Sequence, residues 1–297
     1  MKIKNVILGV AAMAVIGTGI LYSCKKDANP YQLTNSIKQQ KQWDEGENNH
    51  WTEATSFDLR QFNAFPELNM GEFHNNYLDI LANSTLFPNQ TANNQYDIIY
   101  ANLTPQLRQQ LDEINISAEA IGEIVNNGLQ MNGFDDLIAY LQEDYHDIVP
   151  YLQQMNVHFN DDMPNNFING NIDNSLEFFL EMKTDVENSL IGQARDMMLG
   201  TIEIAAYSSV YWYNVLWTDA GESPWHPYFI DEDDELPRVT GKFGDWLKKA
   251  GKIAVKVCAV VATDVTCFAV GNAVAPGSGV PCAAAGSGVV ALALKDW

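Results

Sequence analysis

Imidazole, thiol and carboxylate side chains are the groups able to move protons, attack a substrate or hold a metal, and this 297-residue chain supplies them unevenly. Its histidines are His50, His74, His146, His158 and His226, and its cysteines are Cys24, Cys258, Cys267 and Cys282. No His-Glu-x-x-His string and no Cys-x-x-Cys pair occurs, so neither of these zinc-holding spacings is available. His146 stands beside Asp144 and Asp147, but residues one and two apart do not share a helix face, and the set reads as solvated surface. Paired carboxylates such as Asp135-Asp136 and Asp161-Asp162 recur because the chain is acidic, so no pair stands out as the acid and base of a glycosidase. The Gly-x-Ser-x-Gly elbow and the phosphate-binding loop do not occur. These observations lead to an expectation of no catalytic residue, no metal site and no cofactor.

One constellation is more suggestive. His74 and Asn75 lie inside Met70-Gly71-Glu72-Phe73-His74-Asn75-Asn76-Tyr77-Leu78-Asp79. On a first helix they could hydrogen-bond a central helix near Ser208 or Tyr211, as a buried polar clasp rather than a catalytic pair. Trp212, Trp217, Trp225 and Tyr228 could stack a sugar, although the commoner use of such residues is core at a helix end.

Those residues need elements to position them. From about residue 56 to 230 the texture is helical. Thr104 before Pro105 suits an N-cap and a first-turn proline, and Ser117 suits the cap of a helix over 118–129. Residues 135–153 carry Leu137, Ile138, Leu141, Ile148 and Leu152, with Pro150 expected to kink or end the helix. The longest periodic stretch, 175–217, is expected to form the central helix, with a break near Gly200. No two-residue alternation calls for a sheet, so the expected fold is mainly α: a helical bundle with a C-terminal Gly/Ala-rich apolar helical hairpin.

Charge divides the chain. Seventeen basic against 38 acidic residues give a net charge of −21, which would repel the phosphates of nucleic acid. Residues 24–237 carry −27, whereas 238–297 carry +4. That reversal suggests separate environments, or contact between an acidic body and a basic tail. The acidic run 231–235 before Pro237 reads as part of a linker over 231–241. Beyond it, Lys242, Lys248, Lys249, Lys252 and Lys256 lead into a stretch, 265–294, without any charged residue.

Gly271, Pro276, Gly277, Gly279 and Pro281 interrupt that stretch, leaving 282–294 as an arm of roughly 20 Å, short of the ~30 Å a spanning helix requires. Two helical arms joined by a turn over 276–281 are expected, with small residues four apart (Gly271 and Ala275, Ala284 and Gly288) permitting close approach. Cys258, Cys267 and Cys282 are candidates for a disulfide. Cys258 and Cys267, nine residues apart, are roughly 13 Å apart along a straight helix, beyond bridging distance. Either the arm bends near Thr263-Asp264, or the thiols are small core residues, or one pairs with another chain.

At the other end, Lys2 and Lys4 precede an apolar run over 6–22, the layout of a secretory signal. The run closes on Leu21-Tyr22-Ser23-Cys24, which resembles the lipobox of bacterial lipoprotein precursors. The resemblance implies a signal peptide over 1–23, lipid attachment at Cys24, and a membrane partner through that lipid, with a polar tether over 24–55. Several acyl chains would anchor the protein stably. The Lys25-Lys26-Asp27 lead resembles the tethers of Gram-negative lipoproteins, implying the bacterial outer membrane or cell surface.

The Met70–Asp79 segment, the later Ser208–Asn214 aromatic stretch and the Gly/Ala-rich C-terminus together resemble uncharacterised lipoproteins of Gram-negative bacteria, a resemblance that implies no particular activity. The basic lead-in followed by a Gly/Ala-rich hairpin is similar to membrane-active bacteriocin peptides. The expected function is therefore a lipid-anchored, non-catalytic binding or interaction protein with a protein or glycan partner. The alternative is a membrane-active, antagonistic protein whose tail is the effector.

Overall fold

A helix that is apolar on every side can be stable in water only at the centre of its domain, because no face of it profits from solvent. Residues 197–213 come nearest to that character, with every residue buried, and they form the axis of the structure. The computed structural model describes residues 55–65, 69–82, 101, 118–131, 134–214, 225, 243–274 and 277–293. The expected signal, Cys24, the tether, the acidic linker, Thr104-Pro105, Ser117, Trp217 and Tyr228 lie outside the described residues.

The fold is an all-α helical bundle. In chain order its helices are α1 (Met70–Ala82), α2 (Ala118–Gln130), α3 (Phe134–Leu141), α4 (Val149–Val157), α5 (Met163–Ile168), α6 (Ile172–Ser189), α7 (Gly192–Tyr213), α8 (Phe243–Val274) and α9 (Gly279–Ala293). Every residue of α7 from Met197 to Tyr213 is buried. Helices α1, α6 and α8 pack around it, while α9 lies along α8 and touches α1 and α2. A tight turn, Leu59–Phe62, inserts Leu59 and Phe62 into the core, and Thr55 and Ser56 hook it to the first turn of α6 through hydroxyl bonds of 2.5 Å to Asp173.

Two expected boundaries move. The periodic stretch 175–217 is two helices, not one, and the break falls at Leu190-Ile191 rather than at Gly200. Leu190 is extended, Ile191 is extended and 87% exposed, and Gly192 has a φ of 59°, a left-handed value that a side chain would strain. Gly200 instead continues the helix and serves close approach: a Cβ there would lie 2.7 Å from Phe268 Cζ on α8. Pro150 begins α4 instead of ending a longer helix, because a first-turn residue needs no intrahelical N–H bond. Between α4 and α5 the chain widens into a π-helical turn, His158–Asp162.

The C-terminal helices pack tightly against one another. α8 continues without a break through Thr263-Asp264, and Pro281 sits within the first turn of α9. Gly271 approaches Cys282, Cys267 approaches Gly286, and Asp264 meets Ser287, so partner numbers rise on one helix as they fall on the other, the antiparallel pattern. A Cβ on Gly286 would come within 2.6 Å of Cys267 Sγ, which shows how closely small residues let the two backbones lie.

Helix α1 makes an equally close approach to α7. A Cβ at Gly71 would stand 2.3 Å from the ring of Tyr207, near the root of that side chain where rotation gives little relief. Gly71→Ala should therefore cost about 1–3 kcal/mol of stability through overpacking. Gly251→Ala, at a helical position with nothing within 4 Å of the added methyl, should be neutral or stabilise by up to about 1 kcal/mol. Denaturant melts of the two variants check the contrast.

Candidate functional site

Polar residues recur along the α1–α7 contact with a fixed offset. Gly71 N donates to Glu203 Oε1 at 2.9 Å, Asn75 Nδ2 donates to the Tyr207 carbonyl at 3.1 Å, and Tyr211 OH donates to Asp79 Oδ1 at 2.8 Å. Each pair is 132 residues apart in the chain. Steps of four on one helix thus match steps of four on the other, which requires α1 and α7 to run parallel in register over two turns. Such a seam fixes rotation and register in a way an apolar contact does not.

At the top of the seam Glu203 does the work of a cap. Its carboxylate receives Gly71 N and, at 2.7 Å, Ala64 N, so a side chain of the central helix satisfies donors at the start of α1. Burial dominates its titration and pushes the carboxyl up to about 7, against the lowering effect of the N–H bonds it accepts. One turn along, Tyr207 OH donates to Asn63 Oδ1 at 2.8 Å, and burial raises its phenol well above the ordinary range.

At the middle of the seam a second carboxylate, Asp264 of α8, enters from the side. Ser208 Oγ donates to its Oδ2 at 2.5 Å, and Ser287 Oγ of α9 donates to its Oδ1. His74 Nε2 stands 3.4 Å from the same Oδ2, with neither side chain reaching solvent. His74 Nδ1 lies 3.0 Å from Asn75 Oδ1, so it acts as the donor when the Asn75 amide group faces Tyr207 O. The Nε2 contact lacks the alignment of a hydrogen bond. Four helices meet at Asp264: α1 through His74, α7 through Ser208, α9 through Ser287, and its own α8.

The hydroxyl bonds here are selective. Thr201, Ser209, Thr263 and Thr266 all return their hydroxyls to the carbonyl four residues back, the local solution for a buried hydroxyl. Ser208 and Ser287 send theirs to Asp264 instead. The structure thus brings together His74 and Asn75, and it links His74 to α8 rather than to the central helix. Glu203, Asp264 and Ser287 were not singled out from sequence. Their signal was isolation: Glu203 is the lone charge in 197–217 and Asp264 the lone charge in 257–294.

The remaining candidate groups are dispersed. Cys258, Cys267 and Cys282 are free, buried thiols. Burial raises all three, Cys282 to about 12, which keeps them protonated and poor nucleophiles. His158 is stacked on Phe178 at 4.0 Å, and burial pulls it down to about 4. His146 is exposed and paired with Asp147 at 3.0 Å. Trp212 and Trp225 are fully enclosed, edge to face at 5.1 Å, with Trp225 Nε1 donating to Tyr211 OH at 2.9 Å, so neither offers a face to a sugar. Among the described residues no group of three or more His, Cys, Asp or Glu side chains could hold a metal ion.

A surface groove of about 340 Å³ lies elsewhere, between α4 and the α6–α7 junction, lined by Asp147, Tyr151, Gln154, Asp185 and the exposed Ile191. Comparison of the chain with protein families, curated proteins and solved structures finds no match.

Two variants probe the seam. His74→Ala removes a fully buried imidazole with its contacts to Asn75 and Asp264 and leaves a cavity, and it should cost about 2–5 kcal/mol, lowering the melting temperature. In a thermodynamic cycle with Asp264→Ala the two losses should be far from additive. Glu203 supplies the pH dependence. Its folded value, about 7, lies above the ordinary 4.5, so its contribution to stability is complete below pH 4.5 and is lost as pH rises through 7. Relative to Glu203→Gln, the wild type should therefore lose stability between pH 5 and 8, on the order of 3 kcal/mol, in urea melts at each pH.

Proposed function

We propose that this chain is a lipid-anchored protein of a bacterial envelope, held at the outer membrane or cell surface by Cys24, with a non-catalytic binding or interaction role. The observation that carries the non-catalytic part is the enclosure of its best chemical cluster. His74, Asn75, Ser208, Asp264 and Ser287 all lack solvent exposure, and their hydrogen bonds run to one another and, from Asn75, to the Tyr207 carbonyl. A general base must come within hydrogen-bond reach of a substrate proton, and this imidazole is walled in by the helices it fastens. The groove beside Ile191 supports the interaction role, since it joins an exposed aliphatic side chain to two carboxylates, a surface suited to a partner with a basic, partly apolar face.

The anchoring part rests on the Leu21–Cys24 string and the basic, apolar run before it. A second reading, a membrane-active protein whose tail is the effector, is favoured by a specific observation. Gly251–Val274 is 24 residues long and its most apolar 18 residues have a mean hydropathy of 2.0, which by length and composition is enough to cross a bilayer. It follows a lysine-rich lead-in and a body of opposite charge.

Mass spectrometry of protein purified from the native membrane fraction tests the anchor. The expected N-terminal peptide begins at Cys24 and carries diacylglycerol and an acyl chain. A soluble protein retaining residues 1–23, or cleaved elsewhere and free of lipid, would remove the reading.

A further inference from the structure

The bonds around Asp264 divide between its two oxygens in a way that has a mechanical meaning. Oδ1 is bonded by Ser287 of α9, which belongs to the same C-terminal pair as Asp264. Oδ2 is bonded by Ser208 of α7 and approached by His74 of α1, both of the body. If the pair left the body, the Oδ1 bond would travel with it and the Oδ2 contacts would be broken. Asp264 is also the only charge between Lys256 and Lys295, near the middle of the apolar segment.

The geometry points to a latch: the α8–α9 pair leaves the body as a unit and enters an anionic lipid bilayer, restrained until then by the contacts of Ser208 and His74 with Asp264. The inference rests on the membrane-active reading and supplies its gate.

Length and charge fit that occupant. Twenty-four residues of α8, Gly251–Val274, reach about 36 Å, enough for the ~30 Å hydrocarbon layer. Lys252, with the lysines before it, then lies at the anionic headgroups, and Lys256, one turn further in, reaches them by extending its stem. α9, at 15 residues, reaches about 22 Å. The sequence after α9 supplies Lys295 and Trp297, residue types suited to a membrane interface.

The close seam between the helices, with Gly271, Cys282, Gly286 and Cys267 in contact distance, is the small-residue packing that keeps two helices together in lipid. Asp264 at mid-depth would be costly alone, and its retained bond to Ser287 reduces that cost. In the body 78% of the residues in its most apolar 18-residue stretch are buried, so the apolar surface is sheathed until the latch opens.

The structure provides a lock for the test. A Cβ at Gly128 of α2 would lie 3.0 Å from Cys267 Sγ, the separation that a disulfide places between one Cβ and the far sulfur. Gly128→Cys in the full chain should therefore form, on oxidation, a bridge that ties α8 to the body. The measurement is dye release from phosphatidylglycerol vesicles, with phosphatidylcholine vesicles alongside, and with circular-dichroism melts showing that each variant is folded.

The expected result is release by the wild type from anionic vesicles only, release at least several-fold faster with Ser208→Ala, none from the oxidised Gly128→Cys protein, and recovery when reductant is added. Reductant alone should leave the wild type unchanged. Release by the oxidised, locked protein would overturn the latch and assign the membrane activity to another segment. Release by no form, Ser208→Ala and the reduced lock included, would overturn both the latch and the membrane-active reading. Should Gly128→Cys fail to fold, the Ser208→Ala comparison decides alone, and an unchanged rate overturns the latch.

Discussion

A carboxylate withdrawn from water must find its whole complement of donors inside the protein, since an unpaired charge in that setting costs more than most single contacts return. Two such groups, Glu203 and Asp264, organise this bundle. Glu203 draws Ala64 N and Gly71 N to the side of the central helix and thereby fixes where α1 starts. Asp264 collects Ser208, Ser287 and His74 and thereby fixes how α8 and α9 sit against α7 and α1. An apolar interface of the same area would tolerate rotation or a shift by a turn. These carboxylates do not, because any such shift strands them.

The constant offset of α1 against α7 follows from the same requirement. Parallel neighbours place like dipole ends together, a mildly unfavourable arrangement, and at the start of α1 the Glu203 carboxyl oxygens accept the free backbone N–H of Gly71. The remaining steps of the seam use neutral donors: the Asn75 amide on a backbone carbonyl and the Tyr211 hydroxyl on Asp79. Gly71 makes the closest approach possible, since its missing side chain is the space the Tyr207 ring occupies. One helix therefore contributes Gly, His, Asn and Asp, and the other contributes Glu, Tyr, Ser and Tyr, each residue in the role its chemistry allows.

Much of the architecture was legible in the sequence because it rests on local rules. Apolar recurrence at three and four residues showed helices, and the absence of alternation argued against a sheet. What local rules could not see was any decision made by distant residues. Gly200 reads as a helix breaker in isolation, yet Phe268, 68 positions later, occupies the space beside it and makes glycine necessary within the helix. The true break at Leu190-Ile191 has no glycine or proline at those two positions; its mark is Gly192, whose left-handed backbone restarts the chain. His74 and Asn75 stood out by type and position, while Asp264, the acid His74 faces, lay 190 residues downstream in a helix whose other residues gave no sign of it. An isolated charge inside an apolar run is the transferable signal: it has to be answered by something elsewhere in the fold.

The strongly apolar α8–α9 pair is held by directional bonds as well as by burial. Hydrophobic burial is non-directional, and a pair held by burial alone would be as well satisfied in lipid as in protein. Directional bonds are different, because they exist in one arrangement only. The bond from Ser208 to one oxygen of Asp264 ties α8 to the central helix, whereas the bond from Ser287 to the other oxygen and the glycine seam tie α8 to α9. The fold thus separates what keeps α8 and α9 paired from what keeps the pair in place, and only the second of these depends on the acidic body.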